Sequence, residues 1–148
     1  MPAALTELPW NVQLVGDPPP KRLVAKRVDV VQAGMPVGLR ALEAVRGTPH
    51  PVGPVLYCVT HLLVHIPVER DTAHRWHAPQ TLCRPDTFAC SLPGLGWSRH
   101  ECRRIWLMPH DSAYAATDSR GLHHQVALAR SASRKSTVTR PWEASDGR

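Results

Sequence analysis

Proline and glycine constrain this chain more than any other feature of its sequence. Fifteen prolines and nine glycines are spread along 148 residues and gather in no single linker. Proline removes a backbone donor and breaks a helix interior, so the elements between these residues must be short. The length suits one domain with one core, and no internal repeat is visible.

Within those limits the apolar periodicity is readable. Trp10, Val12 and Leu14 alternate with their neighbours, which predicts a strand over 9–15, ended by Gly16-Asp17-Pro18-Pro19-Pro20. Val28-Asp29-Val30-Val31 predicts a second strand. Pro36 then opens a helix with Leu39, Leu42 and Val45 on one face, and Gly47 lies just past its end. Residues 55–59 and 62–68 read as adjacent strands, and 69–86 as loop or short helix. Residues 87–92 read as a strand, 93–96 as a turn, and 104–108 as a strand with Ile105 and Leu107 on one face. The last helix is expected from about Ser119 to Arg130, capped by Thr117 or Asp118, with Leu122, Val126 and Ala129 as its apolar stripe. Residues 131–148, rich in Ser, Thr, Arg and Lys, are expected to be a disordered basic tail. The reading is an α+β fold, a mixed sheet with two flanking helices, in a single domain over 1–130.

Eighteen basic residues against twelve acidic give a net charge of +6, which favours nucleic acid or another polyanion as partner. Among the basic residues only Lys21, Lys26 and Lys135 are lysines. Residues 47–68 contain no Asp, Glu, Lys or Arg. They also carry Pro49, Pro51, Pro54, Pro67, His50, His61 and His65, so they do not read as a membrane span. Residues 1–10 lack the basic and apolar regions of an export signal. A cytoplasmic protein with reduced thiols is expected, Cys58 acting as a small buried hydrophobe.

Three groups of residues invite chemistry. The run containing Lys21, Arg22, Lys26 and Arg27 is suited to phosphate contacts, as are Arg130, Arg134, Lys135 and Arg140 further on, with Trp142 available to stack on a base. His74, His77, Cys83, Cys90, His100 and Cys102 offer nitrogen and sulfur ligands. Scattered surface histidines and buried cysteines are the preferred reading, so no metal is expected. If a zinc were bound, His74, His77, Cys83 and Cys90 would be its set. His110-Asp111 follows Pro109 on a strand rather than lying on a helix, unlike a phosphohydrolase dyad. No nucleophile motif or phosphate-cradling glycine loop is present, since Gly94-Leu95-Gly96 lacks a third glycine and the accompanying Lys or Ser/Thr.

The order of several segments resembles the primase–polymerase domain of bifunctional primases from bacterial plasmids, phages and integrated elements. Val28-Asp29-Val30-Val31 stands where that family has its acidic strand, followed by the helix around Gly38-Leu39-Arg40-Ala41-Leu42. His61-Leu62-Leu63-Val64-His65-Ile66-Pro67 resembles its histidine strand. Cys83 to Pro93 resembles the third segment, and Arg104-Ile105-Trp106-Leu107-Met108-Pro109 the strand after it. The resemblance spans about residues 28–130. It implies two-metal nucleotidyl transfer, which needs several carboxylates. Here Val31 replaces the second acid, Thr81 or Leu82 the third, and Asp86 falls too late.

The expected function is therefore a non-catalytic, nucleic-acid-associated accessory protein of a plasmid or mobile element, acting in its replication, maintenance or spread. Its contacts would be Lys21, Arg22, Lys26, Arg27, Arg134 and Lys135, with a plasmid-encoded protein as a further partner and no cofactor. One alternative is a metal-dependent nucleotidyltransferase or nuclease using Asp29, His61 and Asp86 with a divalent metal. The other is a small protein-interaction module.

Overall fold

The computed structural model describes residues 10–13, 27–92, 96–98, 102–109 and 114–138. Lys21, Arg22, Lys26, His100, His110, Asp111, Arg140 and Trp142 lie outside the described residues.

In chain order the elements are β1 (Trp10–Gln13), β2 (Asp29–Gly34), α1 (Met35–Arg46), β3 (Val55–Cys58), β4 (Leu63–Val68) and a single 3₁₀ turn (Ala73–Arg75). Then follow β5 (Leu82–Pro85), β6 (Cys90–Leu92), β7 (Gly96–Ser98), β8 (Arg104–Pro109) and α2 (Ser119–Val138). Six strands form one sheet in the order β1-β8-β3-β4-β2-β5, every neighbouring pair antiparallel. β6 and β7 form a separate ribbon. The α+β class with two helices holds, but the expected mixed sheet does not, because every strand pairing in it is antiparallel.

β2 and β3 run parallel on either side of β4, so α1 is a crossover that lays its buried Gly38, Ala41, Leu42 and Val45 on one sheet face. Pro36 sits in its first turn, as the sequence predicts. α2 covers the same face beside α1. Leu122 and Val126 join Leu42, Val45, Val31, Val64, Ile66 and Val68 in the main core. Asp118 caps α2 through its Oδ2, which accepts the Gly121 N–H at 2.8 Å. The Glu69 carboxylate accepts the Ser119 N–H at 2.8 and 3.2 Å.

Two further expectations change. α2 continues to Val138, eight residues into the stretch expected as a disordered tail, so Arg134 and Lys135 lie on helical backbone. Adding residues to a nucleated helix is cheap, and Ser, Arg and Lys tolerate it. Residues 82–85 form an edge strand on β2 instead of loop. Its residues are exposed apart from half-buried Cys83, so no apolar alternation marks it. No helix among the described residues is long and apolar enough to cross a membrane.

Gly38 is where α1 touches the sheet most closely, since a Cβ there would run into Val64 Cγ2. Gly38→Ala is expected to destabilise the fold by about 1–3 kcal/mol through overpacking, despite alanine's better helix propensity. Urea denaturation of the purified chain measures it.

Candidate metal centre

The sheet face opposite the helices is built differently. Strand alternation turns Val30, Gln32, Leu56, Cys58, His65, Arg104 and Trp106 toward it. Its apolar part is a small cluster of Val28, Val30, Leu56 and Trp106, with Phe88 and Ala116 against it. The segment leading from β5 into β6 crosses this face. Phe88 meets Trp106 edge-on there, with centroids 5.6 Å apart.

Four donor atoms gather at one end of this face. Cys58 Sγ, His61 Nδ1, Cys90 Sγ and Cys102 Sγ lie within 4.8 Å of one another. Cys58 ends β3 and His61 lies in the four-residue turn joining β3 to β4, where Leu62 adopts φ 55° and closes the turn. Cys90 opens β6 and Cys102 precedes β8. Cys58 and Cys90 are fully buried, whereas His61 and Cys102 are partly exposed.

Each donor has a specific anchor. Cys58 is fixed by the sheet, paired with Leu63 on one side and Arg104 on the other. Cys102 is held because the Val59 N–H donates to Arg103 O at 2.7 Å and the Arg103 N–H donates to Thr60 Oγ1 at 2.9 Å. These bonds tie the turn to the chain entering β8. Cys90 is held through its neighbour: Gln32 Nε2 donates to Ser91 O at 2.9 Å, and the Ser91 N–H donates to Gln32 Oε1 at 2.8 Å. One amide side chain thus supplies both partners that a neighbouring strand would have offered.

The spacing suits a tetrahedral ion. With zinc–sulfur and zinc–nitrogen bonds of about 2.3 and 2.05 Å, a tetrahedron has S···S edges of about 3.8 Å and S···N edges of about 3.6 Å. Here Cys90 and Cys102 sulfurs are 3.8 Å apart. His61 Nδ1 is 3.3 Å from Cys58 Sγ and 3.4 Å from Cys102 Sγ. Three sulfurs and an imidazole are also a borderline-soft donor set that zinc prefers over magnesium or calcium. Burial and the adjacent Cys58 thiol push the Cys90 thiol up, with the Arg104 guanidinium pulling the other way. A metal ion would displace those protons, because the thiolate is the ligand form. With four protein ligands no coordination position stays open for substrate, the pattern of a structural site.

The set that the sequence offered for a zinc, were one bound, is split by the sheet. Only Cys90 belongs to the cluster. Cys83 packs against the main core on the helix side, where burial, then the carboxylates of Asp29 and Glu69, push its thiol up to about 12. His74 and His77 are exposed around the 3₁₀ turn. Cys58, expected as a buried hydrophobe, is buried but is also a candidate ligand.

The proposed catalytic residues do not converge either. Asp29 pairs with Val68 on the helix face, and its Oδ2 accepts the N–H groups of Thr72 and Ala73 at 2.9 and 2.7 Å. His61 lies beyond the opposite end of β2: Gly34, which pairs with Leu63, is about 17 Å from Asp29 at strand rise. Asp86, at φ 49°, sits on the rim of a depression that reaches Phe88, Cys102 and Arg104. Neither aspartate joins a metal-holding group among the described residues. The spacing Cys58-x-x-His61 between two predicted strands was a usable signal. Cys90 and Cys102 carry none, because their approach depends on how two distant segments cross the sheet.

No family model, curated protein or solved structure matches the chain.

Replacing Gln32 by Leu would leave the Ser91 N–H and C=O without partners. A loss of about 1–3 kcal/mol is expected, with faster hydrogen exchange at the Ser91 amide, measured by denaturation and by amide exchange.

Proposed function

We propose that this chain is a non-catalytic, nucleic-acid-associated protein whose non-helical sheet face is cross-linked by a structural zinc on Cys58, His61, Cys90 and Cys102. The convergence of those four donor atoms within 4.8 Å carries the zinc part of the reading. Bound there, zinc joins the β3–β4 turn, the start of β6 and the entry to β8, which are remote in sequence. That linkage replaces apolar burial where the covering segment brings little of it.

Association with nucleic acid is supported by the +6 charge and by a groove of about 450 Å³ between the 3₁₀ turn and α2. Arg75, His77, Arg120, His123 and His124 line it together with Trp76, and no carboxylate among the described residues does. Arg27 stands exposed two residues before β2, at the end of the basic run. A non-catalytic role is supported by Asp29, whose carboxylate caps a turn, and by His61, whose Nδ1 belongs to the sulfur cluster. The placement in plasmid or mobile-element biology rests on the motif order of the sequence, as a silent relative of primase–polymerases.

Elemental analysis of the protein purified without chelator is expected to give about one zinc per chain. Cobalt substitution is expected to give the intense visible bands of a tetrahedral thiolate site. Single C58S, H61A, C90S and C102S variants lose the metal or hold it loosely, while H74A, H77A and C83S keep it. Absence of both stoichiometric zinc and the cobalt spectrum would sink the zinc reading.

A separate titration with single- and double-stranded DNA across a salt series is expected to show affinity falling steeply with salt. Arg75→Ala with Arg120→Ala should flatten the log–log slope by about 1–2, since each phosphate contact contributes about 0.7–0.9. Product formed with manganese and nucleotides would instead favour a nucleotidyltransferase. No binding at low salt would favour a protein-interaction module.

A further inference from the structure

Arg104 is an unusual residue to turn toward a covered sheet face. It stands opposite Cys58 across the β3–β8 ladder. Its Nη2 donates to Cys90 Sγ at 3.4 Å and lies 3.8 Å from Cys102 Sγ. Its Nε is buried and has no hydrogen-bond partner. A guanidinium keeps its charge even when partly buried. Among the described residues no carboxylate pairs with it, and its charge faces the two sulfurs instead.

The same sulfur has a second neighbour. His65, buried in the middle of β4, places Nε2 3.4 Å from Cys90 Sγ. In the tautomer with hydrogen on Nε2 it donates to that sulfur. Cys90 is therefore approached by two donors besides any metal.

Charge counting explains the arrangement. Three thiolates, one neutral imidazole and a divalent zinc sum to −1, and a net charge is costly in a poorly hydrated site. One guanidinium against two of the sulfurs brings the assembly to zero. It also stabilises those sulfurs as thiolates, the form that binds metal.

We infer that Arg104 is the charge-neutralising partner of the zinc centre: a positioning residue that binds no metal itself but sets how tightly Cys90 and Cys102 hold it, with His65 as the second donor to Cys90. This rests on the zinc reading above. Metals of lower charge, such as a monovalent copper, would leave the assembly with an uncompensated negative charge.

The test is competition between the full-length protein and a chromophoric zinc chelator at one fixed pH. It compares the unaltered protein with R104M, R104K and R103A. Arg103 is the adjacent, exposed arginine, and only its backbone serves the site. R104M is expected to weaken zinc binding about 10–100-fold, the usual scale for a lost outer partner. R104K should recover part of this, and R103A should stay within about twofold of the unaltered protein. The cobalt spectrum of R104M should keep its tetrahedral form, because the four ligands remain. If R104M should fail to fold, R104K against R103A still decides: a lysine cannot fork to two sulfurs, so it should bind measurably less tightly. Equal zinc affinity in R104M and the unaltered protein would overturn the inference while leaving the zinc site intact, as would an equal loss in R103A. Failure of the unaltered protein to take up zinc would overturn the zinc reading itself, and this inference with it.

Discussion

The central strands β2, β3 and β4 are covered on both faces, and the two covers differ in kind. α1 and α2 bring a continuous apolar layer to one face, and Val31, Val64, Ile66 and Val68 answer it. The other face is crossed by a short segment with little to bury, while the sheet presents Gln32, Cys58, His65 and Arg104 to it. Buried polar groups must find partners or cost free energy. Everything distinctive on this face follows from that requirement. Gln32 mimics a strand edge for Ser91, His65 and Arg104 turn to Cys90, and the three cysteines and His61 turn to one another. Among described side-chain nitrogens and oxygens that are buried, Arg104 Nε alone lacks a partner.

A metal cross-link fits this situation physically. The small cluster of Val28, Val30, Leu56 and Trp106 cannot secure the crossing segment as the main core secures the helices. A zinc joining three parts of the chain would restrict them with four bonds and require almost no apolar area. The helix face would then tolerate conservative apolar exchange, whereas the other face would depend on particular atoms. The basic groove between the 3₁₀ turn and α2 lies on the helix side, so the candidate metal site and the proposed contact with nucleic acid use separate parts of the molecule.

Much of the fold was legible because burial imposes a period. Residues 28–31, 55–58, 63–68 and 104–108 could be read as strands, and α1 was bracketed by Pro36 and Gly47. β5 was not, because an edge strand with exposed Leu82, Arg84 and Pro85 carries no alternation and is held by main-chain pairing with β2. The far end of α2 was missed because its composition resembles a solvated tail. Of the candidate metal centre, Cys58 was read as a buried hydrophobe and His61 as part of the histidine strand and of the catalytic alternative. His74, His77 and Cys83 looked equally suitable until the sheet put them on its other side or at its periphery.

The sequence by itself determined the class of fold, the positions of most elements and the excess of positive charge, since these depend on local pattern and on counting. Only the tertiary structure decided which cysteines and histidines meet. Cys90 and Cys102 reach Cys58 and His61 because two remote segments cross the same face of the sheet. Gln32, Thr60 and the β3–β8 pairing hold them at that crossing. Ligand convergence is a property of distances between segments remote in sequence, and nothing in the local pattern around any one of those residues encodes it.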